Sequence, residues 1–282
     1  MAGRVLVNVV DSAEASGRAL RFAIDQASGR GLGLHIIHVI DESIVKSRKT
    51  ELLQAASTRG EQVLAEATAT VRTAAPALEV TSSIEQGDPM RVFTELSNDY
   101  ELLVVGSDWQ QRGSPSRRAV EALRIAAASD SPVAVIPDMD LTGRSGIVVG
   151  VDGSENSAHA LQFAAAEAAR TGQPLIAVHA WTLPVVPGAE FIDSASFYDD
   201  LSRDAADTLE NALEEVRAEY PKLTVQPVCF DGDATLALAT EAERGTLVVV
   251  GSHGRSGVAR LMLGSVSHGL LARLAAPTVI VR

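Results

Sequence analysis

The sequence has little cysteine and fewer positive than negative charges, and both shortages exclude classes of protein. One cysteine, Cys229, among 282 residues leaves no intrachain disulfide, which fits a reducing compartment such as the cytoplasm. Lysine and arginine total 24 against 36 aspartates and glutamates, which gives a formal net charge of −12. We therefore expect no nucleic-acid or membrane partner, and local geometry must hold any anion that the protein binds.

Long hydrophobic runs are also lacking. No run approaches the roughly 20 apolar residues that span a bilayer. The N-terminal run Val5–Val10 ends directly at Asp11 and is too short for the core of a signal peptide. We interpret this run as a buried first strand and expect a cytoplasmic protein.

The first half of the sequence is repeated in the second half. Val9–Ser16 aligns with Gly150–Ser157, and Leu103–Ser107 aligns with Val248–Ser252. A repeat of this length is a whole domain rather than a unit of a solenoid. The predicted tandem domains are residues 1–141 and 142–282.

Each copy alternates short β-branched runs with longer amphipathic stretches, a pattern typical of βαβ units and a parallel sheet. We predict an α/β fold with two doubly wound domains, each a five-stranded parallel sheet in the order 3-2-1-4-5 between helices. This order places strands one and four side by side, so the loops leaving them flank the crevice where ligands bind. The second copy has predicted strands at Ile147–Val151, Leu175–His179, Thr224–Cys229, Leu247–Val250 and Thr278–Val281, and predicted helices at Ser154–Arg170, Phe197–Glu219, Thr235–Glu243 and Ser265–Leu274.

Glycines with the spacing G-x2-G-x9-G follow the fourth strand of the second copy, at Gly251, Gly254 and Gly264. Because glycine has no Cβ, its backbone N–H group can approach a ligand closely. Gly264 and Ser265 then begin a predicted helix, whose first N–H groups have no internal partner and carry partial positive charge. Such groups favour a phosphate chain, although ordinary turn glycines followed by a helix cap are the alternative. The candidate side-chain ligands are Ser265, Ser267 and either Arg255 or Arg260.

Motifs of several other nucleotide-binding and hydrolase families are absent. The sequence contains no G-x-x-x-x-G-K-[ST] and no strand-linked G-x-G-x-x-G. It also lacks a G-x-S-x-G elbow, which argues against a serine hydrolase.

Several segments of the second copy together resemble the universal stress protein family, in particular its ATP-binding branch. They are Asp152, Val178-His179, Gly251–Gly254 and Leu263–Ser267. The resemblance covers the whole chain as two tandem domains. It implies five-stranded α/β domains of the order given above, with ATP bound between the loops that follow strands one and four.

The resemblance also implies a role for each matching residue. Asp152 and the backbone near Val151 and Ala180 would contact the adenine side, and Gly251 would lie near the ribose. The implied surroundings of the phosphates, often with a divalent metal such as Mg²⁺ or Mn²⁺, are Gly254, Gly264, Ser265, Val266 and Ser267. Asp152 is alternatively a turn residue and helix cap, since Asp-Gly-Ser is good capping chemistry.

The first copy has lost the phosphate motif. The segments Gly106–Pro132 and Gly251–Pro277 have equal length, so their residues pair without a gap. A tryptophan at a glycine position costs about 1–2 kcal/mol if positive φ is needed, and its ring would fill the space for phosphate. We expect no ATP of the usual kind in this half. The pairs are Gly254 with Trp109, Gly264 with Ala119, Ser265 with Val120 and Ser267 with Ala122.

Other candidate chemistry is sparse. His253 lies within the phosphate motif and is placed to orient water or touch phosphate, but no carboxylate is identifiable as its partner, so we assign no catalytic residue. We interpret His179 as a structural hydrogen-bonding residue. His35 and His38 point to opposite faces of a strand and make a poor metal pair. We interpret Cys229 as a small, packed apolar residue.

Two further segments have open interpretations. The insertion Thr182–Ser196 is either a lid or interface loop beside the nucleotide site or a passive surface loop. Arg112, Arg117 and Arg118 form a basic run that is solvated by default and alternatively meets an anion or an acidic partner.

The leading hypothesis is a regulatory nucleotide-binding protein of the stress response, with ATP in the C-terminal domain. One alternative is a slow ATPase or phosphotransferase that uses the same site, although the sequence offers no Walker lysine and no evident base. The other alternative is a dimerisation module. The resemblance implies pairing through the last strands, Pro132–Ile136 and Pro277–Val281, as an intramolecular pseudo-dimer and in a possible homodimer.

Overall fold

The computed structural model describes residues 3–10, 14–108, 117–183, 194–254 and 263–282. The chain divides into two compact units, residues 1–140 and 141–282. Arg255, Arg260, Trp109 and Asp11 therefore lie outside the described residues, as does most of the predicted insertion.

Unit 1 contains a parallel sheet with the strand order β3-β2-β1-β4-β5, which is the predicted order. Its helices follow the strands in the alternating pattern expected of βαβ units. The strands are β1 (Arg4–Asn8), β2 (Gly33–Asp41), β3 (Val80–Gly87), β4 (Leu102–Ser107) and β5 (Val133–Pro137), and the helices are α1 (Glu14–Arg30), α2 (Glu42–Lys46), α3 (Thr50–Ala74), α4 (Pro89–Leu96) and α5 (Arg117–Ala128).

Unit 2 repeats this arrangement, with the strand order β8-β7-β6-β9-β10 and parallel pairing throughout. The predicted α/β class and parallel sheet are thus confirmed. The strands are β6 (Ile147–Gly150), β7 (Leu175–Trp181), β8 (Val225–Asp231), β9 (Leu247–Gly251) and β10 (Thr278–Val281), and the helices are α6 (Glu155–Thr171), α7 (Ser194–Glu219), α8 (Ala234–Ala242) and α9 (Ser265–Arg273).

Hydrophobic patterning explains these elements. The run Leu247–Val250 in β9 is buried along its whole length, as expected for a parallel strand that is covered on both faces. In α7, Leu209, Leu213 and Val216 are buried at helical spacing, while the glutamates between them are exposed. No helix within the described ranges is long and apolar enough to cross a membrane.

Element boundaries differ from the predictions by more than one residue in three places. Strands β7 and β8 extend to Trp181 and Asp231. Helix α7 begins at Ser194, inside the segment predicted as a loop. Such shifts are small because strand and helix ends fray and carry few packing constraints.

Candidate functional site

A cavity of about 300 Å³ lies in unit 2 where β6 and β9, which are neighbours in the sheet, reach their carboxyl ends. This is the switch point of a doubly wound sheet, where ligands usually bind. Every predicted site residue that the structure describes lines the cavity: Val151, Asp152, Ala180, Gly251, His253, Gly254, Gly264, Ser265, Val266 and Ser267. Arg255, the remaining predicted ligand, is outside the described residues.

Further lining residues were missed by the sequence analysis. Ala234 and Leu238 come from α8, which follows β8 and is distant in the chain from both glycine-rich loops. In the sequence, Ala234 and Leu238 look like core residues. Only their spacing of four residues indicates that they lie on the same face of a helix. The complete set of missed lining residues is Gly150, Ser157, Val178, Ala234, Leu238 and Val250.

The amino end of α9 presents unpaired backbone amides to the cavity. Gly264 is the N-cap residue, and no side chain caps the helix. The first backbone bond within the helix is donated by the amide of His268 to the carbonyl of Gly264, at 2.9 Å. The amides of Ser265, Val266 and Ser267 therefore have no acceptor within the described part of the chain. They carry the partial positive charge of the helix dipole.

Gly264 itself has a bonded amide. Its N–H group donates to the carbonyl of Ser252 at 2.8 Å, and the amide of Ser252 donates to the carbonyl of Val281 at 2.7 Å. These bonds hold the entry to α9 against the end of β9. The N–H group of Gly264 is thus engaged within the protein, and the donors left for an anion start at Ser265.

The two serines of the motif have different surroundings. Ser265 is exposed at the first position of α9. Ser267 is buried, and its hydroxyl donates to the carbonyl of Gly251 at 2.6 Å. The hydroxyl proton of Ser267 therefore fixes α9 to β9, which leaves the Ser265 hydroxyl as the side-chain donor facing solvent and cavity.

Asp152 serves the turn after β6 and also faces the glycine loop. Its Oδ1 accepts bonds from the amide and the hydroxyl of Ser154, at 3.0 and 2.6 Å. The Ser154 side chain in turn accepts from the amide of Ser157 as the N-cap of α6. The other oxygen, Oδ2, lies so close to Gly254 that a Cβ at that position would clash with it. Asp152 is therefore a turn residue through Oδ1, as the alternative predicted, but the helix cap is Ser154. Its Oδ2 lies on the cavity side.

His179, His38 and His35 lie outside the glycine motif and form hydrogen bonds within the fold. His179 is buried, and its Nδ1 donates to the carbonyl of Val151 at 2.7 Å, which confirms its structural role. His38 makes the same bond to Val9 in unit 1, at 2.9 Å. His35 instead contacts Ser83 and Thr81, and burial, reinforced by the charge of Arg4, lowers its pKa. Within the described residues no cluster of three metal-ligating side chains is found.

His253 has no carboxylate partner among the described residues. Its Nδ1 lies 3.2 Å from the hydroxyl of Ser252, and its Nε2 is buried without a hydrogen-bond partner in the part of the chain that the structure describes. A general base needs its second nitrogen oriented and its charge compensated. The arrangement therefore supplies an oriented imidazole but not a catalytic dyad.

The structure contradicts the prediction that Cys229 is a packed residue. The residue is exposed because β8 is the last strand in the order of its unit, so part of its surface faces solvent. Partial desolvation of the sulfur, reinforced by the negative charge of Glu210, raises the pKa of the thiol. A thiol with a raised pKa is a poor nucleophile at neutral pH.

Among the described residues, the matching position in unit 1 has a much smaller cavity. It has a volume of about 20 Å³, lined partly by Gly106 and Ala122, the counterparts of Gly251 and Ser267. Glu121, the counterpart of Val266, also lines it and brings a carboxylate to the place where an anion would sit. Of the four predicted substitutions, Val120 and Ala122 are described, and Trp109 and the side chain of Ala119 lie outside the described residues.

Comparison with known proteins gives one consistent result. The sequence model of the universal stress protein family matches residues 1–137 and again residues 144–282. The universal stress protein Rv2005c of Mycobacterium tuberculosis is 30% identical over 294 residues, which cover 99% of this chain and 96% of that protein. Another from the same organism, Rv2623, is 26% identical over 287 residues, covering 97% and 94%.

A solved structure agrees at the level of the fold. The crystal structure of a universal stress protein from Archaeoglobus fulgidus superimposes with a TM-score of 0.72 at 20% identity, covering 99% of this chain and 98% of that one. Because the family model matches both halves and a relative at 30% identity spans nearly the whole length, the chain belongs to the universal stress protein family as a tandem, two-domain member.

Proposed function

We propose that unit 2 binds ATP in the cavity between β6 and β9 and that the chain is a regulatory nucleotide-binding protein of the stress response. The observation that carries the proposal is the row of unpaired amides at Ser265, Val266 and Ser267, which faces the cavity. A helix amino end of this kind binds phosphate. The triphosphate lies at α9 in this arrangement.

The base lies against the apolar side of the same cavity. Val151, Val178, Ala180, Ala234 and Leu238 supply hydrophobic surface, and ligand pockets are typically lined in this way. This surface is needed because a helix terminus contributes only about 0.3–1 kcal/mol per charge, up to about 2 when partly buried. Micromolar affinity requires about 8 kcal/mol, so burial of the adenosine must supply a large share.

A divalent ion enters with the nucleotide in this proposal. Asp152 brings a carboxylate to the cavity, and the described residues contain no cluster of three metal-ligating side chains. Phosphate oxygens and water are the usual ligands of Mg²⁺ in nucleotide sites. We therefore assign Mg²⁺ or Mn²⁺ to the bound ATP rather than to a site built by the protein alone.

Slow hydrolysis is the second candidate function, and His253 is its main support. Its imidazole lines the cavity, but among the described residues Nδ1 bonds to the Ser252 hydroxyl rather than to a carboxylate. Efficient phosphoryl transfer needs a positioned base and charge clamps. We therefore propose retention of intact ATP as the main activity. Release of phosphate at about one per second from purified protein would favour the enzyme instead.

Two substitutions at Ser265 test the binding mode. Ser265→Ala removes only the hydroxyl, whereas Ser265→Pro removes the hydroxyl and the amide proton together. Proline fits the first position of a helix, and Gly264 before it has φ −61° and ψ 160°, which is the extended region that a residue before proline prefers. The helix is therefore expected to remain intact in both variants.

Calorimetry with Mg·ATP gives the readout. We expect the proline variant to bind at least about tenfold more weakly than the alanine variant, because a hydrogen bond to a charged group contributes roughly 1.5–3 kcal/mol. Their melting temperatures should agree. Equal affinity in the two variants would show that the amides of α9 do not hold the phosphates, and absence of binding by the unaltered chain would overturn the proposed function itself.

A further inference from the structure

We propose that Gly150 and Leu238 set the width of the base half of the cavity, and that unit 1 is closed in this half by its own larger side chains as well as in its phosphate loop. The inference rests on the proposed function of unit 2. It identifies the ligand of the site as a nucleoside with a flat base, rather than a sugar phosphate or a bare polyphosphate.

The absence of a side chain at Gly150 leaves space in the base half of the cavity. Gly150 is the last residue of β6, and a Cβ placed there would lie 3.1 Å from Cδ1 of Leu238 and 3.2 Å from Cγ1 of Val250. Both neighbours line the cavity. Any side chain at position 150 must therefore push Leu238 or Val250 into the space, because packed interiors have little free volume.

The two units have the same backbone features around the base half of the cavity. His179 and His38 make equivalent bonds to the chain that leaves β6 and β1. Gly232 and Gly87, which precede α8 and α4, both have positive φ, at 144° and 146°. The aspartates that follow these glycines cap both helices. The positions can therefore be compared residue by residue.

At each compared position, unit 1 has the larger side chain. Asn8 and Phe93 are both buried, so their extra volume lies inside unit 1. The strand registers place Asn8 where unit 2 has Gly150. The other pairs are Val39 for Ala180, Pro89 for Ala234 and Phe93 for Leu238.

The cavities differ as these substitutions predict. The cavity of unit 2 touches β7 and α8 through Ala180, Ala234 and Leu238. The residual 20 Å³ in unit 1 is lined by β1, the segment after it, α1, β4 and α5, and by no described residue of β2 or α4. The described lining of this cavity therefore lacks the elements that form the base half in unit 2.

The test transfers the residue of unit 1 into unit 2 of the full chain. Leu238→Phe and Gly150→Asn are the two variants, and Leu236→Phe is the matched control. Leu236 lies on the same helix, is 50% exposed and does not line the cavity. Binding of Mg·ATP and of adenosine is measured by calorimetry, and cooperative melting establishes that each variant is folded. Ala180→Val, a smaller change at the rim, replaces either variant that does not melt cooperatively.

We expect the two cavity variants to lose about tenfold or more in affinity for both ligands, the order of effect of losing a stacked base. The control should bind both ligands as the unaltered chain does. A parallel loss is required because adenosine carries no phosphate, whereas a disturbed phosphate loop would weaken ATP alone. Unchanged adenosine affinity in the folded variants would overturn the inference and leave the proposed function standing. An unaltered chain that binds no adenine nucleotide would overturn both.

Discussion

The three glycines of the phosphate motif have different physical reasons for being glycine. A Cβ at Gly251 would lie 2.9 Å from backbone atoms of Asn156, so the approach of β9 to α6 requires a glycine there. At Gly254 a Cβ would meet the carboxylate of Asp152. At Gly264 a Cβ would lie 3.4 Å from the nearest atoms of the described residues, with an ordinary φ of −61°. The described surroundings therefore do not require a glycine at position 264.

This difference predicts separable effects on folding and binding. Gly264→Ala should change the free energy of unfolding by less than about 1 kcal/mol, the usual range at an N-cap. It should nevertheless weaken ATP binding, since the new methyl group occupies the approach of the phosphates. Gly251→Ala is the contrasting variant and should destabilise unit 2 by about 1–3 kcal/mol, the cost of overpacking.

Urea unfolding and calorimetry on the same preparations distinguish these outcomes. Full ATP affinity in Gly264→Ala would mean that the ligand does not come close to this backbone. Stability losses of equal size in the two variants would contradict the assignment of Gly251 to the fold and Gly264 to the ligand.

Sequence reasoning found some residues of the site and not others, for a physical reason. Gly254, Gly264 and Ser265 belong to one continuous segment whose spacing has a chemical meaning, so they could be identified without coordinates. Ala234 and Leu238 are apolar residues on a separate helix, and nothing in their chemistry distinguishes a cavity wall from a core. The prediction for Cys229 was wrong because the exposure of an outer strand depends on which other elements cover that strand. The composition of the strand does not reveal those elements.

At the level of elements, α5 and α9 differ in where they begin. Helix α9 starts at Ser265, whereas α5 starts at Arg117, before Val120, the counterpart of Ser265. Glu121 and Ala122 therefore lie within the helix, where amides bond to carbonyls one turn earlier. The amides of Glu121 and Ala122, the counterparts of the unpaired amides of Val266 and Ser267, are thus paired within α5.

Proline substitution at the two equivalent positions tests this difference. Val120→Pro places proline past the first turn of α5, where it removes a helical bond and its ring clashes with a carbonyl, at a cost of about 3 kcal/mol. Ser265→Pro should cost little, because the first helical position tolerates proline. The free energy of unfolding from urea titration, followed by circular dichroism, gives both values. Equal costs would show that the two helices begin at equivalent residues.

The elements themselves were largely predictable, because hydrophobic periodicity fixes their type. The β-branched run of β9 and the spacing of Leu209, Leu213 and Val216 in α7 each have one reasonable interpretation. The start of α7 was not predicted, since Ser194–Ser196 follow a segment with two prolines and a glycine that indicates a loop. The earlier start of α5 was also missed, because alignment of two repeats assigns the same boundaries to both.

At the scale of the whole chain, two units of one fold have diverged at the crevice. Their sheets have equivalent strand orders, yet one crevice measures about 300 Å³ and the other about 20 Å³. The chain has a net charge of −12, so bulk electrostatics oppose an anionic ligand. A unit with both a cavity and oriented amides is expected to overcome this repulsion, and we therefore propose one nucleotide site per chain, in unit 2.

This asymmetry predicts about one ATP per chain and local protection on binding. Ligand at about 100 times its dissociation constant stabilises the binding unit by about 2.7 kcal/mol, so hydrogen exchange should slow in unit 2, above all at Ser265–Ser267 and after β6. Exchange in α5 should not change, because the proposal assigns no site to unit 1. Calorimetry gives the number of ATP molecules bound per chain, and hydrogen exchange measured by mass spectrometry shows which unit binds them. Two ATP molecules per chain, or protection in α5 equal to that in α9, would contradict the asymmetry, since both require an open crevice where Glu121 and Ala122 now lie.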